Sequence, residues 1–366
     1  MNLGTHSPKP AANTFYVLTG TTGFIGSEVL ARLVTNVRPE QIILLGRRKP
    51  EAGRGLLWLR FREHGLDFET TFQRIHFVNS DFGNPDLFRK SLEDVKALMP
   101  AHANFRLLHM AALIQPLSDK EASIQSRINI GVTQDLLNWA ASRNAEAFLY
   151  LSSMVAWGGS RMPVVRTEKD YTNFPKESRS FDYFRTKRVA HDWLLANAKI
   201  PLVLLCPGIV HGAFEHFKSS RAHLLKLRNG ELKFAPPGGG NFVGLDRVSG
   251  CIVQRLLQKE TYKDVVTQLL VDRNMTYKDY FQLYVDLARP KEKTRIRLVP
   301  GWLAGFAIGF CHTARMLRLK APHVLAGLAQ ASFYLWFESE LALTPTEGLE
   351  QNIKAALNSE TEGGWS

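Results

Sequence analysis

Short apolar runs alternate with segments of helical periodicity along most of the chain. The runs occupy residues 15–18, 41–46, 74–82, 105–112, 147–153, 201–208 and 264–271. Between them apolar residues recur at helical spacing, as in Val29, Leu30, Leu33 and Val34 after the first run. Buried strands that alternate with helices predict an α/β fold with a doubly wound parallel sheet covered on both faces.

Two segments depart from this alternation and predict a second, smaller lobe. Residues 214–242 are basic and contain PPGGG at 236–240, which predicts a loop, and residues 272–366 have mostly helical spacing. We therefore assign residues 13–213 and 243–271 to a sheet domain. Residues 214–242 and 272–366 are expected to form a mostly helical lobe over the end of the sheet, and residues 1–12 a flexible tail.

The longest apolar stretch, residues 298–311, is too short to cross a membrane. A spanning helix needs about 20 apolar residues, and Pro300 and three glycines interrupt this stretch. It predicts a buried helix, with an interfacial helix as the alternative.

The N-terminus lacks the pattern of a secretion signal, and the three cysteines have neither disulfide nor metal-ligand spacing. The sequence therefore predicts a cytoplasmic protein without a metal site.

The formal net charge of +12 indicates anionic partners. Two charged stretches, residues 217–230 and 289–297, are either solvated faces or docking sites for an anionic group such as coenzyme A, an acyl carrier protein or lipid headgroups. No motif specifically predicts contact with a membrane. No nucleic-acid-binding motif occurs either, so we expect no nucleic-acid partner.

The segment TGTTGFIG at residues 19–26 lies between the first apolar run and the helical segment that follows it. Its glycines, Gly20, Gly23 and Gly26, are three residues apart. In this position they permit a tight turn, close approach of the backbone to a pyrophosphate, and close packing of the helix on the strand. The helix N-terminus adds N–H groups and a positive dipole end for phosphates. A purely structural loop is the alternative.

Five further motifs follow this turn: NSDF at 79–82, HMAA at 109–112, NIGVT at 129–133, LSSMVAWG at 151–158 and YFRTK at 183–187. Together with the glycine spacing they resemble the extended branch of the short-chain dehydrogenase/reductase family over residues 14–271. This branch includes nucleotide-sugar epimerases and 3β-hydroxysteroid-dehydrogenase-like reductases. The resemblance implies a Rossmann-type fold whose sheet domain binds a nicotinamide dinucleotide and whose smaller lobe binds the substrate.

The resemblance also implies which residues contact the cofactor. Asp81, with Phe82 next to it, follows the third strand, where the family's acidic residue meets the adenine. Tyr183 and Lys187 lie beside the nicotinamide and its ribose. Further contacts are implied for the glycine turn and for residues after the fourth and sixth strands, namely Gly20, Thr22, Gly23, Phe24, Ile25, Gly26, Met110, Ala111, Ala112, Pro207, Gly208 and Ile209.

The end of the second apolar run predicts which dinucleotide is bound. NAD enzymes of this fold usually place a carboxylate there to hold the ribose 2′-hydroxyl. Here the position is Gly46, followed by Arg47, Arg48 and Lys49. Because two guanidiniums can clamp a 2′-phosphate, we predict NADP(H). A solvated basic loop is the alternative.

Tyr183 and Lys187 are four residues apart and therefore share one face of a helix. A nearby ammonium and the positive nicotinamide favour the phenolate, so we expect a lowered tyrosine pKa and a role for Tyr183 as general acid or base. The resemblance assigns Ser153 to hydrogen-bond the substrate oxygen. Asn129 either supports a water relay to Lys187 or is a helix-packing amide, and His109 is interpreted as a structural residue.

Three positions depart from the family pattern. Trp157 stands for the tyrosine of V-Y-G and either fills the core or lines the substrate pocket, Cys206 stands for the arginine of R-P-G, and Arg247 stands for the second aspartate of F-V-H-V-D-D-V-A. Sugar-nucleotide enzymes grip a diphosphate with arginines of the small lobe. Arg221 and Arg228 are candidates for this role but match no motif, so the departures weaken a nucleotide-sugar function.

The sequence thus predicts NADPH-dependent reduction of a ketone or aldehyde, or the reverse oxidation of an alcohol. The apolar smaller lobe favours a lipophilic or carrier-bound small-molecule substrate. The alternatives are a nucleotide-sugar epimerase or dehydratase that uses its cofactor transiently, an acyl thioester reductase, and a non-catalytic NADP(H)-sensing protein. A homodimer is implied by the resemblance alone.

Overall fold

The computed structural model describes residues 13–53, 55–114, 124–172, 174–175, 178–179, 181–215, 222–258, 265–317, 319, 322–343, 345–346 and 348–359. The predicted tail, residues 1–12, and Arg221 lie outside these residues.

The described strands are short and spread along the whole chain. In chain order they are β1 Thr14–Thr19, β2 Ile42–Gly46, β3 His76–Asn79, β4 Asn104–His109, β5 Ala147–Leu151, β6 Leu202–Pro207, β7 Ile209–His211, β8 Phe234–Ala235, β9 Gly239–Gly244, β10 Val266–Leu270, β11 Arg273–Thr276, β12 Arg297–Leu298 and β13 Tyr334–Leu335.

The described α-helices lie between and after these strands. They are α1 Phe24–Val34, α2 Gly55–Glu63, α3 Phe68–Gln73, α4 Pro85–Ala97, α5 Val132–Ser142, α6 Asp182–Asn197, α7 Ala222–Arg228, α8 Leu245–Leu257, α9 Tyr277–Ala288, α10 Gly301–Met316, α11 His323–Gln330 and α12 Leu349–Ser359. A π-helical turn, Arg127–Gly131, precedes α5, and a 3-10 helix, Met154–Trp157, follows β5.

All seven predicted apolar runs form strands of one parallel sheet, with the order β10-β6-β5-β4-β1-β2-β3. The register pairs Tyr16 of β1 with Ile42 of β2 on one side and with Arg106 of β4 on the other. This is the Rossmann strand order, in which the direction of winding changes between β1 and β4. The predicted fold class is therefore confirmed.

The chain divides into two compact units. The first comprises Met1–Ser152, Ala190–Leu205 and Ser249–Thr267, and the second comprises Ser153–Val189, Cys206–Val248 and Gln268–Ser366. Residues 153–189, which the sequence assigns to the sheet domain, thus cluster with the second unit. The functional assignment of the two predicted domains stays a prediction.

The first unit has a core of apolar strand residues that are completely buried, including Val17, Leu18, Ile43, Leu107 and Leu149. Consecutive residues of a strand point to opposite faces of the sheet, so burial of neighbours such as Val17 and Leu18 requires both faces to be covered. This is why the strands appear in the sequence as continuous apolar runs and not as alternating patterns.

The second unit contains a smaller sheet that the sequence did not reveal. Strand β9 pairs with β7, β11 and β13, and an aromatic core that includes Phe242, Tyr280 and Tyr284 packs around it. The predicted loop at 236–240 ends at Gly238, and β9 starts at Gly239. A side chain at Gly239 would collide with the backbone of Met275 on the paired strand, so these glycines permit close approach of neighbouring backbone.

Candidate functional site

The glycine turn of the first unit forms a cradle of bare backbone. Gly20 has a φ of +75°, and a Cβ there would lie 2.6 Å from the nitrogen of Ala111, in the segment after β4. A Cβ on Gly26 would overlap the carbonyl oxygen of Gly20. Gly23 is the N-cap of α1, and no side chain caps this helix. The cradle fits a dinucleotide pyrophosphate, because the helix N-terminus is left without a side-chain partner at the point where the winding direction changes.

The neighbouring side chains of the turn differ in exposure. Thr22 is exposed, whereas Phe24 and Ile25 are half-buried at the start of α1. The guanidinium carbon of Arg60 lies 5.8 Å from the centre of the Phe24 ring, so α2 supports the start of α1.

The segment after β4, which contains Met110, Ala111 and Ala112, is tied to β1 by a buried hydrogen-bond network. The Thr19 hydroxyl accepts from the backbone N–H groups of Met110 and Ala111, at 3.2 and 3.3 Å. It lies 2.7 Å from Nδ1 of His109, whose Nε2 lies 3.1 Å from the Thr133 hydroxyl. His109 is fully buried between these two threonines, which supports its interpretation as a structural residue.

Asn129 anchors the end of the same segment. Its Oδ1 accepts from the backbone N–H of Leu113 at 2.8 Å, and its Nδ2 donates to the Leu113 carbonyl at 2.9 Å. Both ends of the amide are therefore engaged with the backbone beside the cradle. These contacts favour the packing role for Asn129, and a part in a water relay stays a prediction.

Of the four residues predicted to hold the adenosine half, three are exposed and one is buried. Arg47 and Arg48 are exposed directly after β2, and in the described part of the chain neither has a carboxylate partner. Asp81 is exposed after β3, where one of its oxygens accepts from the Gly83 N–H at 2.9 Å. Phe82 is buried and packs edge-on against Phe88.

In the second unit the structure brings Ser153 and Tyr183 together. Ser153 is the N-cap of the 3-10 helix after β5, and its hydroxyl accepts from the Val155 N–H at 3.4 Å. The same hydroxyl is hydrogen-bonded to the Tyr183 phenol. Lys187 is buried one turn further along α6, on the same face as Tyr183. The three predicted catalytic residues thus occupy one cluster of the second unit.

The segment Pro207, Gly208 and Ile209 adjoins this cluster. A Cβ on Gly208 would lie 2.8 Å from Cε of Met154, the residue after Ser153, and 2.5 Å from the Asn241 carbonyl oxygen. No larger residue fits there without displacing β9. Gly208 therefore allows the end of β6 to lie close to the start of the 3-10 helix that Ser153 caps.

The comparison with family models decides the family. Residues 18–231, more than half of the chain, match the model of an NAD-binding family described as male sterility protein. The chain belongs to this family of extended short-chain dehydrogenases/reductases. The matched residues include the cradle, the segment after β4, Ser153, Tyr183 and Lys187. No curated protein matches the chain.

Solved structures share the fold of this extended family member at low sequence identity. A protein named gox2253 is 19% identical, with a TM-score of 0.70 over 96% of this chain and 98% of its own. The UDP-glucose 4-epimerase of Thermotoga maritima, solved with UDP-glucose, is 15% identical, with a TM-score of 0.65 over 95% of this chain and 98% of its own. WbmG of Bordetella bronchiseptica, solved with NAD and UDP, is 13% identical, with a TM-score of 0.65 over 95% of this chain and 94% of its own.

Burial shifts the pKa values of two of the predicted catalytic residues in this extended short-chain dehydrogenase/reductase. It raises the pKa of Tyr183 to about 12, and the hydrogen bond from Ser153 opposes the rise. Burial lowers the pKa of Lys187 to about 7, and the interaction with the Cys206 side chain opposes that fall. The expected lowering of the tyrosine pKa by a lysine ammonium is not found in the chain alone, because desolvation dominates both groups.

Arg188 is a positioning residue that sequence reasoning missed. Its guanidinium donates to the carbonyls of Tyr171 and Ala156 at 3.0 and 3.4 Å, and lies 4.1 Å from the centre of the Tyr171 ring. It therefore joins α6, which carries Tyr183, to the 3-10 helix that Ser153 caps. Its position next to Lys187 was the only available signal, and an arginine on a helix gives no hint of such partners.

The departures from the family pattern have structural explanations. Trp157 is fully buried, donates to the Thr167 carbonyl at 3.2 Å and packs against Tyr171, so it fills the core. Cys206 is buried at the end of β6. Arg247 is ion-paired with Asp272 on the connection between β10 and β11. Of the two arginines considered for a diphosphate, the structure describes Arg228, which is half-buried at the end of α7.

Proposed function

We propose that this protein reduces a ketone or aldehyde on a lipophilic or carrier-bound metabolite, with NADPH as the hydride donor. The observation that carries the proposal is the hydrogen bond between Ser153 and Tyr183, with Lys187 one helical turn further on. A protein of an NAD-binding family that only sensed its cofactor would have no use for this arrangement.

The side chains divide the chemistry of the proposed reduction among them. A bound nicotinamide dinucleotide supplies the hydride. The Ser153 and Tyr183 hydroxyls hydrogen-bond the carbonyl oxygen, and Tyr183 passes its proton to that oxygen as negative charge develops. A lysine with a pKa of about 7 both binds and releases a proton at neutral pH, which suits Lys187 to restore the proton of Tyr183.

The protonation state of Tyr183 suits the reductive direction. With a pKa of about 12 the phenol is neutral at physiological pH, which is the form that a general acid requires.

The basic residues after β2 support NADPH as the cofactor. Arg47 and Arg48 are exposed where a 2′-phosphate would lie, and Gly46 leaves no carboxylate to repel it. Replacing both arginines by serine should weaken NADPH binding about 10- to 100-fold and leave NADH binding unchanged. Lys49→Ser, which removes one exposed cation next to them, is the matched control. Equal losses for the two cofactors would contradict the assignment.

The environment of the cluster supports a substrate without a diphosphate. Cys206 occupies the place of an arginine and is buried, and Arg247 is engaged with Asp272. The cysteines Cys206, Cys251 and Cys311 are buried and form no disulfide, which fits the proposed cytoplasmic location. No helix among the described residues is both long and apolar enough to cross a membrane.

Isotope transfer tests the proposed reaction. The purified protein is incubated with a lipid-containing cell extract and with NADPH deuterated at the nicotinamide C4, each stereoisomer separately, and products are analysed by mass spectrometry. We expect deuterium in one product class, accumulation of NADP⁺, and a loss of roughly 10²- to 10⁴-fold in rate for Tyr183→Phe. Tyr277→Phe is the matched control, because burial also raises the pKa of this partly accessible tyrosine of the second unit to about 12.

A nucleotide-sugar epimerase that uses its cofactor transiently is the second candidate. It is favoured by the shared fold of the UDP-glucose 4-epimerase and of WbmG. Such an enzyme would bind the dinucleotide tightly and transfer no net deuterium to a product. That result would overturn the reductase proposal. Release of a free thiol together with the labelled product would instead identify an acyl thioester as the substrate.

A further inference from the structure

Helix α10 of the second unit presents its large apolar side chains to solvent. Trp302, Phe306 and Phe310 are four residues apart and share one face. The exposed fractions of Trp302 and Phe306 are 73% and 58%. The opposite face packs on the protein through small residues, namely Ala304, Ala307, Cys311 and Ala314. The sequence predicts a buried helix here, and this is wrong for the aromatic face.

The exposed apolar surface continues beyond α10. Met316, Leu317 and Leu319 are exposed at its C-terminal end, and Val324 is 82% exposed at the start of α11, which packs against α10. Monomeric proteins rarely leave a continuous apolar surface of this kind in water, so it marks a surface that is covered when the protein functions. We name these exposed residues of 302–324 the apolar hairpin face.

The charges around this face identify what covers it. Residues 293–337 contain six lysines and arginines and not one aspartate or glutamate. Lys293, Arg295 and Arg297 are exposed in the segment that leads into α10, and the exposed Glu292 precedes them. A surface that combines exposed aromatic side chains with adjoining cations matches the chemistry of an anionic lipid surface, which offers hydrocarbon below a layer of negative headgroups.

We propose that the apolar hairpin face docks this protein on the surface of an anionic lipid bilayer. A helix of 16 residues is about 24 Å long, shorter than the roughly 30 Å hydrocarbon core, so it lies in the interface and does not span it. Trp302 suits this depth, because its ring combines an apolar body with a hydrogen-bond donor. A second copy of the chain is a poorer occupant, since pairing would bring two cationic segments together.

Flotation with lipid vesicles tests the apolar part of the proposal. Vesicles of phosphatidylcholine alone are compared with vesicles of equal parts phosphatidylcholine and phosphatidylserine. We expect binding to the anionic vesicles, weakened at least roughly tenfold when Trp302→Ser and Phe306→Ser are combined. Met162→Ser combined with Val164→Ser is the matched control, because these apolar side chains of the same unit are also exposed but lie outside the hairpin.

A second pair of variants tests the charge. Arg295→Gln combined with Arg297→Gln should weaken binding to anionic vesicles about fivefold for each cation removed. Lys90→Gln combined with Lys199→Gln removes two exposed cations elsewhere and should leave binding unchanged. Added salt should reduce the binding of the wild-type protein and abolish the difference between the two pairs.

Three outcomes would overturn the proposal. The first is no binding to either vesicle, and the second is equal binding by the hairpin variant and its apolar control. The third is a wild-type dimer that binds no vesicle and that the hairpin substitutions dissociate. The last outcome would assign the face to a second copy. Dinucleotide binding and thermal unfolding of each variant establish that it is folded. Vesicle binding needs no hydride transfer, so this test remains valid if the proposed reaction fails. Absence of vesicle binding likewise leaves the proposed reaction untouched.

Discussion

Replacement of Lys187 by methionine tests whether burial lowers the pKa of this predicted catalytic residue. The folded chain lowers the lysine pKa to about 7, whereas an unfolded chain restores the ordinary value of 10.5. Between these values the unfolded chain binds a proton that the folded chain does not. The free energy of unfolding of the wild-type protein must therefore rise with pH across this window, and methionine removes that dependence.

The size of the effect follows from the two pKa values. Proton linkage gives about 1.4 kcal/mol per pH unit well inside the window, and about 3 kcal/mol between pH 7 and 9.5. Below pH 7 the lysine is protonated in both states, so it adds no pH dependence to the free energy of unfolding there. At about 1–3 °C per kcal/mol for a chain of this length, the midpoint of thermal unfolding should rise by several degrees relative to the variant.

Thermal unfolding followed by circular dichroism measures this difference. The wild type and Lys187→Met are compared at several pH values from 6 to 9.5, and groups that ionise alike in both proteins cancel in the difference. Lys199→Met, in an exposed lysine just after the same helix, is the control and should follow the wild type. If the unfolding midpoints of the wild type and Lys187→Met changed in parallel with pH, the conclusion that burial lowers the pKa of this lysine to about 7 would be refuted.

Three further predictions concern the first unit. Glu28 has a pKa of about 2, because its hydrogen bond to His64 and the charges of Arg60 and Arg32 outweigh desolvation. As the pH falls from 4.5 to 2, the free energy of unfolding should therefore fall by about 3 kcal/mol more for the wild type than for Glu28→Gln, measured by the unfolding midpoint. Gly26→Ala should abolish dinucleotide binding measured by calorimetry, whereas Gly305→Ala, which has open space around it, should not. Asn129→Ala removes two hydrogen bonds to the segment after β4 and should lower the free energy of unfolding by about 1–3 kcal/mol; an unchanged value in denaturant titration would contradict the anchoring role.

The fold and the order of the motifs could be predicted from the sequence because both depend on local patterns. A strand buried on both faces is mostly apolar, so central strands such as β5 appear as continuous apolar runs, whereas the edge strands β3 and β10 contain polar residues. The cradle could be predicted because tight turns, close backbone approach and helix packing all require glycine at fixed offsets. Tyr183 and Lys187 could be placed on one face because helical geometry relates residues four apart.

Other features depend on contacts between distant segments and could not be read from the sequence. The partners of Glu28 include Arg60 on another helix, and Asn129 is paired with Leu113, 16 residues before it. Strand β9 lies in a glycine-rich segment, and two of its partners, β11 and β13, come later in the chain. A local sequence pattern cannot predict a contact between residues that only folding brings together.

The sequence by itself determined the family fold and the glycine cradle, and it predicted Ser153, Tyr183 and Lys187 as the catalytic side chains. Only the tertiary structure decided their protonation and the exposure of α10. The pKa values of Tyr183 and Lys187 follow from desolvation, which depends on everything packed around them. The apolar composition of α10 fits a buried helix and an interfacial one equally well. Tertiary packing turned Ala304 and Ala307 inward and left Trp302 in solvent, because the small alanines permit the close approach of the helix to the protein.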